Sequence, residues 1–402
     1  MRLISSPLLI ATIIAAPHSA PAQIQINTPD WSVTRLWSTD VSAQAGALAL
    51  ASKAVVDGRD RLVLPLVASR RVVFLDTNGD VTGFVDGLGR ISALGFLGDT
   101  LWTADGTSDS FRMFARSGAQ WSAIGSRSYR EFFGSGYNGD DLTSMHWVPV
   151  GLMHDRRIVA LLGPSLASRS LWRPSSERAT VLLRSARTGQ TDTLGHLNQT
   201  RETLRIRTEN GDRQIPNPLR YRDLIAVDDF GQLVTLVNFP PEGDTSALAR
   251  MVTISTWNAR GVRTFRRSFP SQLRTITAAA LDSSPPTVVA TDAQGNATLS
   301  ITQLRAGILE ANPPGSKYVP VSQLVVGRDS TIWLKENATG VATWLVLSST
   351  GNPLARARFP VSRSATLLAA DSRSAWFFER EGGRASVVRF RISHARPNNS
   401  AP

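Results

Sequence analysis

The chain has 402 residues, no cysteine, 42% hydrophobic and 19% charged residues, and a formal net charge of +12. That balance belongs to a folded chain, not a disordered basic tail, and without cysteine there is no disulfide scaffold, thiolate metal site or thiol nucleophile. Lysine occurs only at 53, 317 and 335, so 41 of the 44 basic residues are arginine, the side chain suited to bidentate contact with carboxylate, sulfate or phosphate.

Residues 1–22 carry one early charge, Arg2, then an apolar stretch Pro7–Ala16, then small residues ending Ala20-Pro21-Ala22. This is the n-region, h-region and A-x-A pattern of a secretory signal peptide, too short in its apolar part to span a bilayer. Cleavage is expected after Ala22, giving an exported protein, periplasmic or extracellular, with no membrane span. Export also removes access to cytosolic nucleic acid, so the basic charge is not read as nucleic-acid binding. The expected organisation is a signal peptide over 1–22, one domain over 23–396 and a disordered tail over 397–402.

Beyond the leader, the chain is a series of short β-type runs separated by Asp/Gly/Ser turns. An isolated strand, Trp31–Thr39, comes first. A repeating unit follows. Its first strand is apolar with small residues: Ala47–Ala51, Ile91–Leu97, Leu142–Val148, Leu224–Val227, Ile276–Leu281, Val321–Val326 and Ala365–Ala370. A polar, usually Asp-bearing turn leads to a second strand: Leu62–Val67, Thr100–Ala104, Ile158–Leu162, Leu233–Val237, Thr287–Ala290, Ile332–Lys335 and Ala375–Glu379. Trp102, Trp333 and Trp376 recur in these second strands, where they suit packing between sheets. Third strands follow at Val72–Leu75, Phe111–Ala115, Thr180–Leu183, Val252–Thr256, Ala297–Thr302, Ala342–Leu347 and Ser386–Arg391, each but the last ending in a glycine turn such as Asn78-Gly79 or Thr350-Gly351. The last unit lacks a fourth strand, and Trp31–Thr39 supplies one. The expected fold is an all-β, seven-bladed β-propeller whose N-terminal strand closes the last blade, with six blades as the alternative count.

The Asp-turn, the aliphatic Val/Trp strand and the glycine-tipped hairpin resemble the NHL and TolB-like propellers of exported bacterial proteins. The GH…WD signature of WD40 blades and the Gly-Gly pair of kelch blades are absent. Sugar-lactone hydrolases of related shape use an acidic, metal-binding channel, and the first strands here are poor in Glu and Asn.

Long insertions fall at Ser126–Asp141, Gly163–Ala179, Asn198–Tyr221 and Phe239–Arg250, all on one expected face of adjacent blades. They interleave arginines with aromatic residues. The expected ligand- or partner-binding set is Arg130, Phe132, Tyr137, Arg169, Trp172, Arg173, Arg205, Arg207 and Tyr221. It would suit an anionic ligand, a glycan or an acidic protein surface. Asp140, Asp141 and His146 are the weak candidates for a metal. No G-x-S-x-G elbow, P-loop or Rossmann glycine pattern occurs. The leading expectation is a monomeric, non-enzymatic binding propeller that needs no cofactor. The alternative is a hydrolase or lyase with its active site at the channel mouth, metal-assisted in one version.

Overall fold

The computed structural model describes residues 23–42, 53–66, 70–89, 91–105, 108–117, 120–133, 145–164, 177–185, 187–199, 203–208, 211–216, 223–240, 250–273, 275–278, 281, 301–312, 315–337, 341–362, 365–381 and 384–394. They form an all-β, propeller-like arrangement of antiparallel four-stranded meanders. Blade 1 comprises Val55–Val56, Leu62–Leu66, Arg71–Leu75 and Val81–Val85; blade 2, Ile91–Leu97, Thr100–Asp105, Ser110–Ser117 and Gln120–Ser128. Blade 3 comprises Met145–Leu152, Arg157–Pro164, Glu177–Ser185 and Thr191–Gln199; blade 4, Leu224–Val227, Leu233–Asn238, Met251–Asn258 and Arg263–Gln272. Blade 5 comprises Val321–Val326, Ile332–Glu336, Ala342–Leu347 and Pro353–Phe359; blade 6, Thr366–Ala370, Ser374–Glu381 and Arg384–Ser393, with Asp30–Asp40 as its outer strand.

Each sheet is apolar on both faces because a neighbour covers each face, and every adjacent pair of blades has its own hydrophobic cluster. Val63 and Phe74 meet Leu94 and Phe96; Trp102 and Phe111 meet Leu152 and Ile158; Val181 and Leu183 meet Val234 and Leu236. Val252 and Ile254 meet Leu334 and Leu345, and Trp344 meets Phe377 and Val388. Blade 6 returns to blade 1, where Leu368, Trp376 and Val387 pack on Leu62, Leu64 and Val73. The three repeated tryptophans are at most 2% exposed and belong to these clusters.

The N-terminal segment closes the ring by lacing three blades. Gln23–Ile24 adds a strand to the outer edge of blade 4, with Gln23 opposite Gln272. Asp30 and Trp31 then make a short parallel pairing with Arg356 and Ala357 of blade 5. From Ser32 to Asp40 the strand pairs antiparallel with Ser393 to Ser386 of blade 6. The parallel step joins blades 5 and 6 into one eight-stranded sheet.

The repeating Asp turn has a physical basis. The carboxylates of Asp57, Asp76, Asp228 and Asp371 each accept two backbone N–H groups from the residues two to five positions on. Such Asx-type bonds fold the hairpin tip locally. The blade-4 turn reaches further. Asp229 lies 3.1 Å from the ammonium of Lys53, which precedes blade 1 on the opposite side of the ring, and also accepts the Val56 N–H. Phe96 N–H of blade 2 donates to the Asp229 carbonyl, and His154 N–H of blade 3 donates to the Gly231 carbonyl. Gly231 has φ +66° and lies against the Leu152–His154 backbone, where a Cβ would come within 2.3 Å of the Leu152 carbonyl oxygen. This turn closes the axis of the ring at the short-turn face.

Among the described residues six blades are distinguished, the alternative count, and a seventh is not seen. Of the expected fifth unit, the second strand and most of the third lie outside the described residues, and Ile301–Ala311, expected to carry the glycine turn and the fourth strand, is a helix. Its Leu304 and Ile308 lie four residues apart and pack with Leu204 and Ile206 of a two-stranded hairpin, Thr203–Thr208 with Gly211–Pro216. Gly307, expected at a hairpin tip, sits in this helix, where a Cβ would come within 2.9 Å of Ile206. The first strand expected at Ala47–Ala51 lies outside the described residues; among those described, Val55–Val56 is the first strand of blade 1.

Candidate functional site

Blades 3 and 4 diverge towards the rim of the ring and leave a groove of about 750 Å³ between them. One wall is the outer strand of blade 3, through Leu194, Gly195, His196 and Asn198, with Arg178 beside it. The other is the second, third and fourth strands of blade 4, through Leu236, Asn238, Met251, Thr253, Ser255, Trp257, Arg263, Arg266 and Ser268. Small and hydroxylated residues keep it open. A Cβ on Gly195 would lie 3.2 Å from Leu236, so glycine lets the blade-3 strand settle on blade 4 without filling the space. Trp257 and Leu236 give an apolar floor, and both belong to the blade 3–4 cluster.

Asp223 fixes the end of the groove nearest the long insertions. Its carboxylate accepts the N–H groups of Asn198 (2.7 Å) and Phe239 (2.8 Å) and the amide of Asn238 (2.8 Å). The same Asn238 amide donates to the His196 carbonyl at 2.9 Å, which joins the two walls. Burial pushes the Asp223 carboxyl up, against the pull of these three donors. The network is therefore structural, and Asp223 faces inward rather than toward a ligand.

What remains in the groove is basic. Arg178, Arg263 and Arg266 have no acidic partner among the described residues, and no carboxylate residue lines the walls. Burial, and then the neighbouring Arg178, hold the His196 imidazole below its ordinary pKa. Its Nδ1 lies 3.3 Å from Thr180 Oγ. Guanidinium groups over an apolar floor with amide and hydroxyl donors suit an anionic ligand that also presents a flat or apolar face.

The sequence-derived set is dispersed. Arg130 is exposed on a short helix, Tyr129–Phe133, which also carries Phe132. Tyr129 and Phe133 of that helix are core residues, and the Phe133 ring stacks on Trp147 at 4.7 Å. Arg205 and Arg207 alternate with buried Leu204 and Ile206 on the hairpin and point outward. None of these residues lines the groove. Tyr137, Asp140, Asp141, Arg169, Trp172, Arg173 and Tyr221 lie outside the described residues, and His146 is described in its backbone alone, in Met145–Leu152. Among the described residues no group of three or more His, Asp or Glu is placed to hold a metal ion. Arg263, Arg266 and Trp257 lie on regular strands of blade 4 and carry no long-loop signal in the sequence. The run Arg263-Thr-Phe-Arg266-Arg267 on an outer strand was the available signal.

No family model and no curated protein matches the chain. Solved structures of similar shape include the calcium-binding protein regucalcin from Agrobacterium tumefaciens, at 12% identity and a TM-score of 0.41, covering 90% of this chain and 95% of that one. A catalytically inactive virginiamycin B lyase from Staphylococcus aureus matches at 9% identity and 0.39, covering 89% and 99%. BamB from Moraxella catarrhalis matches at 13% and 0.30, covering 90% and 100%. Such likeness carries no functional argument. The propeller assignment rests on the chain's own sheets and their closure.

Proposed function

We propose that this chain is an exported, non-enzymatic six-bladed propeller that binds an anionic ligand, a charged glycan in the first instance, in the groove between blades 3 and 4. One observation carries the reading: three arginines and a histidine converge on an apolar floor with no acidic side chain to neutralise them. Arg178, Asn198 and Phe239, which line the groove, stand at the ends of three long insertions, where binding residues are often carried. Export is supported by the leader pattern of residues 1–22.

The test compares the secreted protein with its Arg178→Ala/Arg263→Ala/Arg266→Ala variant on a panel of sulfated, uronic-acid and neutral oligosaccharides. The wild type should bind anionic members in a salt-dependent way and ignore neutral ones. The folded triple variant should lose at least tenfold in affinity. Equal binding by both proteins, or preference for neutral sugars, would overturn the assignment.

A further inference from the structure

A second basic cavity, about 670 Å³, lies on the short-turn face at the seam where the ring closes. It is lined by Trp37 of the closing strand, Arg389 and Arg391 of the strand it pairs with, Arg373 of the blade-6 turn, Thr77 of blade 1, and the Arg328–Asp60 ion pair. Trp37 and Arg389 are register partners across the seam. Both donate to one acceptor, the Thr77 carbonyl, at 2.7 Å from Trp37 Nε1 and 2.9 Å from Arg389 Nη1.

Arg389 is the unusual group. It is 8% exposed, sits 5.0 Å over the Trp376 ring, and bonds only neutral acceptors, Thr77 O and Ser374 Oγ at 3.3 Å. Its Nε is buried and has no acceptor. The two neighbouring carboxylates are already taken: Arg328 bonds Asp371 at 2.7 Å and pairs with Asp60. Arg373 and Arg391, on the same cavity wall, are exposed and have no side-chain partner among the described residues. A guanidinium withdrawn from water whose nearest carboxylates are engaged by Arg328 is costly, and with two exposed guanidinium groups on the same cavity it calls for a shared anion.

We propose that this cavity binds a tetrahedral oxyanion, sulfate or phosphate, and that the bound anion ties the closing strand to blades 1 and 6. The site is independent of the blade 3–4 groove. Bidentate guanidinium geometry favours such an oxyanion over chloride.

Thermal unfolding of the full chain in millimolar sodium sulfate or phosphate, against sodium chloride at matched ionic strength, tests this. The expected result is a saturable rise of several degrees in Tm with either oxyanion and none with chloride. Arg373→Ala/Arg391→Ala, at two exposed positions that leave Arg389 and the fold in place, should abolish the rise. The groove variant Arg178→Ala/Arg263→Ala/Arg266→Ala should keep it. A non-saturating rise shared by all three proteins would overturn the proposal, since general exclusion of sulfate and phosphate from the protein surface gives that pattern. A rise lost only in the groove variant would overturn it too, by placing the anion between blades 3 and 4.

Discussion

The Asp229 carboxylate of blade 4 meets the Lys53 ammonium, at the entry to blade 1, at 3.1 Å across the axis of the ring. The two blades are diametrically opposed, so one ion pair joins halves that share no strand ladder. Asp229 is buried, and burial pushes its carboxyl up against the pull of Lys53. Removing the ammonium leaves that carboxylate with the Val56 N–H and the nearby charge of Arg328 for compensation. Lys53→Met should therefore cost about 3 kcal/mol, the usual scale for breaking a buried pair. Urea unfolding would show it as a lower midpoint at unchanged slope. A loss under half a kcal/mol would mean that the axial bridge is decorative.

Asp228, the preceding residue, makes stability depend on pH in the opposite sense from a carboxylate whose pKa is lowered on folding. Burial is the main cause, and it is pushed up to about 6 from 3.8. Its Oδ1 accepts two N–H groups, while Oδ2 is buried without a partner. A raised pKa means that the folded state favours the protonated form. The group's contribution is full below pH 3.8 and is lost as pH rises through about 6. The full swing is about 3 kcal/mol at 1.36 kcal/mol per unit. Asp228→Asn should remove this slope and be at least as stable as the wild type at pH 7. Denaturant melts from pH 4 to 7 check it, and an unchanged slope would contradict the assignment.

The N-terminal lacing depends on one buried pair. The Glu336 carboxylate accepts the Ile24 N–H at 2.9 Å and the Arg356 Nε–H at 2.9 Å, and the Arg356 guanidinium donates to the Ile24 and Ile26 carbonyls. Arg356→Met leaves Glu336 buried and unpaired and unties residues 24–26 together. A loss of about 3 kcal/mol is expected, with new proteolytic cleavage before Trp31. Glu336→Gln keeps an acceptor for Ile24 and should cost less. Mass spectrometry of limited digests separates the two outcomes.

His196 gives the groove a pH signature. Its pKa is held down by burial and by Arg178, and a bound anion would raise it. Affinity for an anionic glycan should therefore increase as pH falls from neutral through the ordinary histidine range. His196→Gln should flatten that dependence while retaining most of the affinity at pH 7.5. Titration calorimetry at several pH values is the measurement.

Much of the scaffold was legible in the sequence. Four segments were read with the bounds the structure has: Ile91–Leu97, Leu224–Val227, Val321–Val326 and Ala342–Leu347. The Asp turn was readable because each Asx-type bond is local. The closing strand was readable because the last unit lacked one. The helix Ile301–Ala311 was not, because Ala306-Gly307 imitates the repeating glycine turn, and only its packing on Ile206 distinguishes a helical crossing from a hairpin tip. The groove was invisible for a related reason. Arg178 is remote in sequence from Trp257, Arg263 and Arg266, and their convergence is set by the divergence of two blades rather than by any motif.

The central claim is that an anionic ligand sits between blades 3 and 4, and a crystal structure with the tightest-binding anionic oligosaccharide tests it most directly. Density for an acidic group against Arg178, Arg263 or Arg266, with a sugar face over Trp257, is the expected result. An ordered ligand on any other surface, with the groove filled by solvent alone, would contradict it.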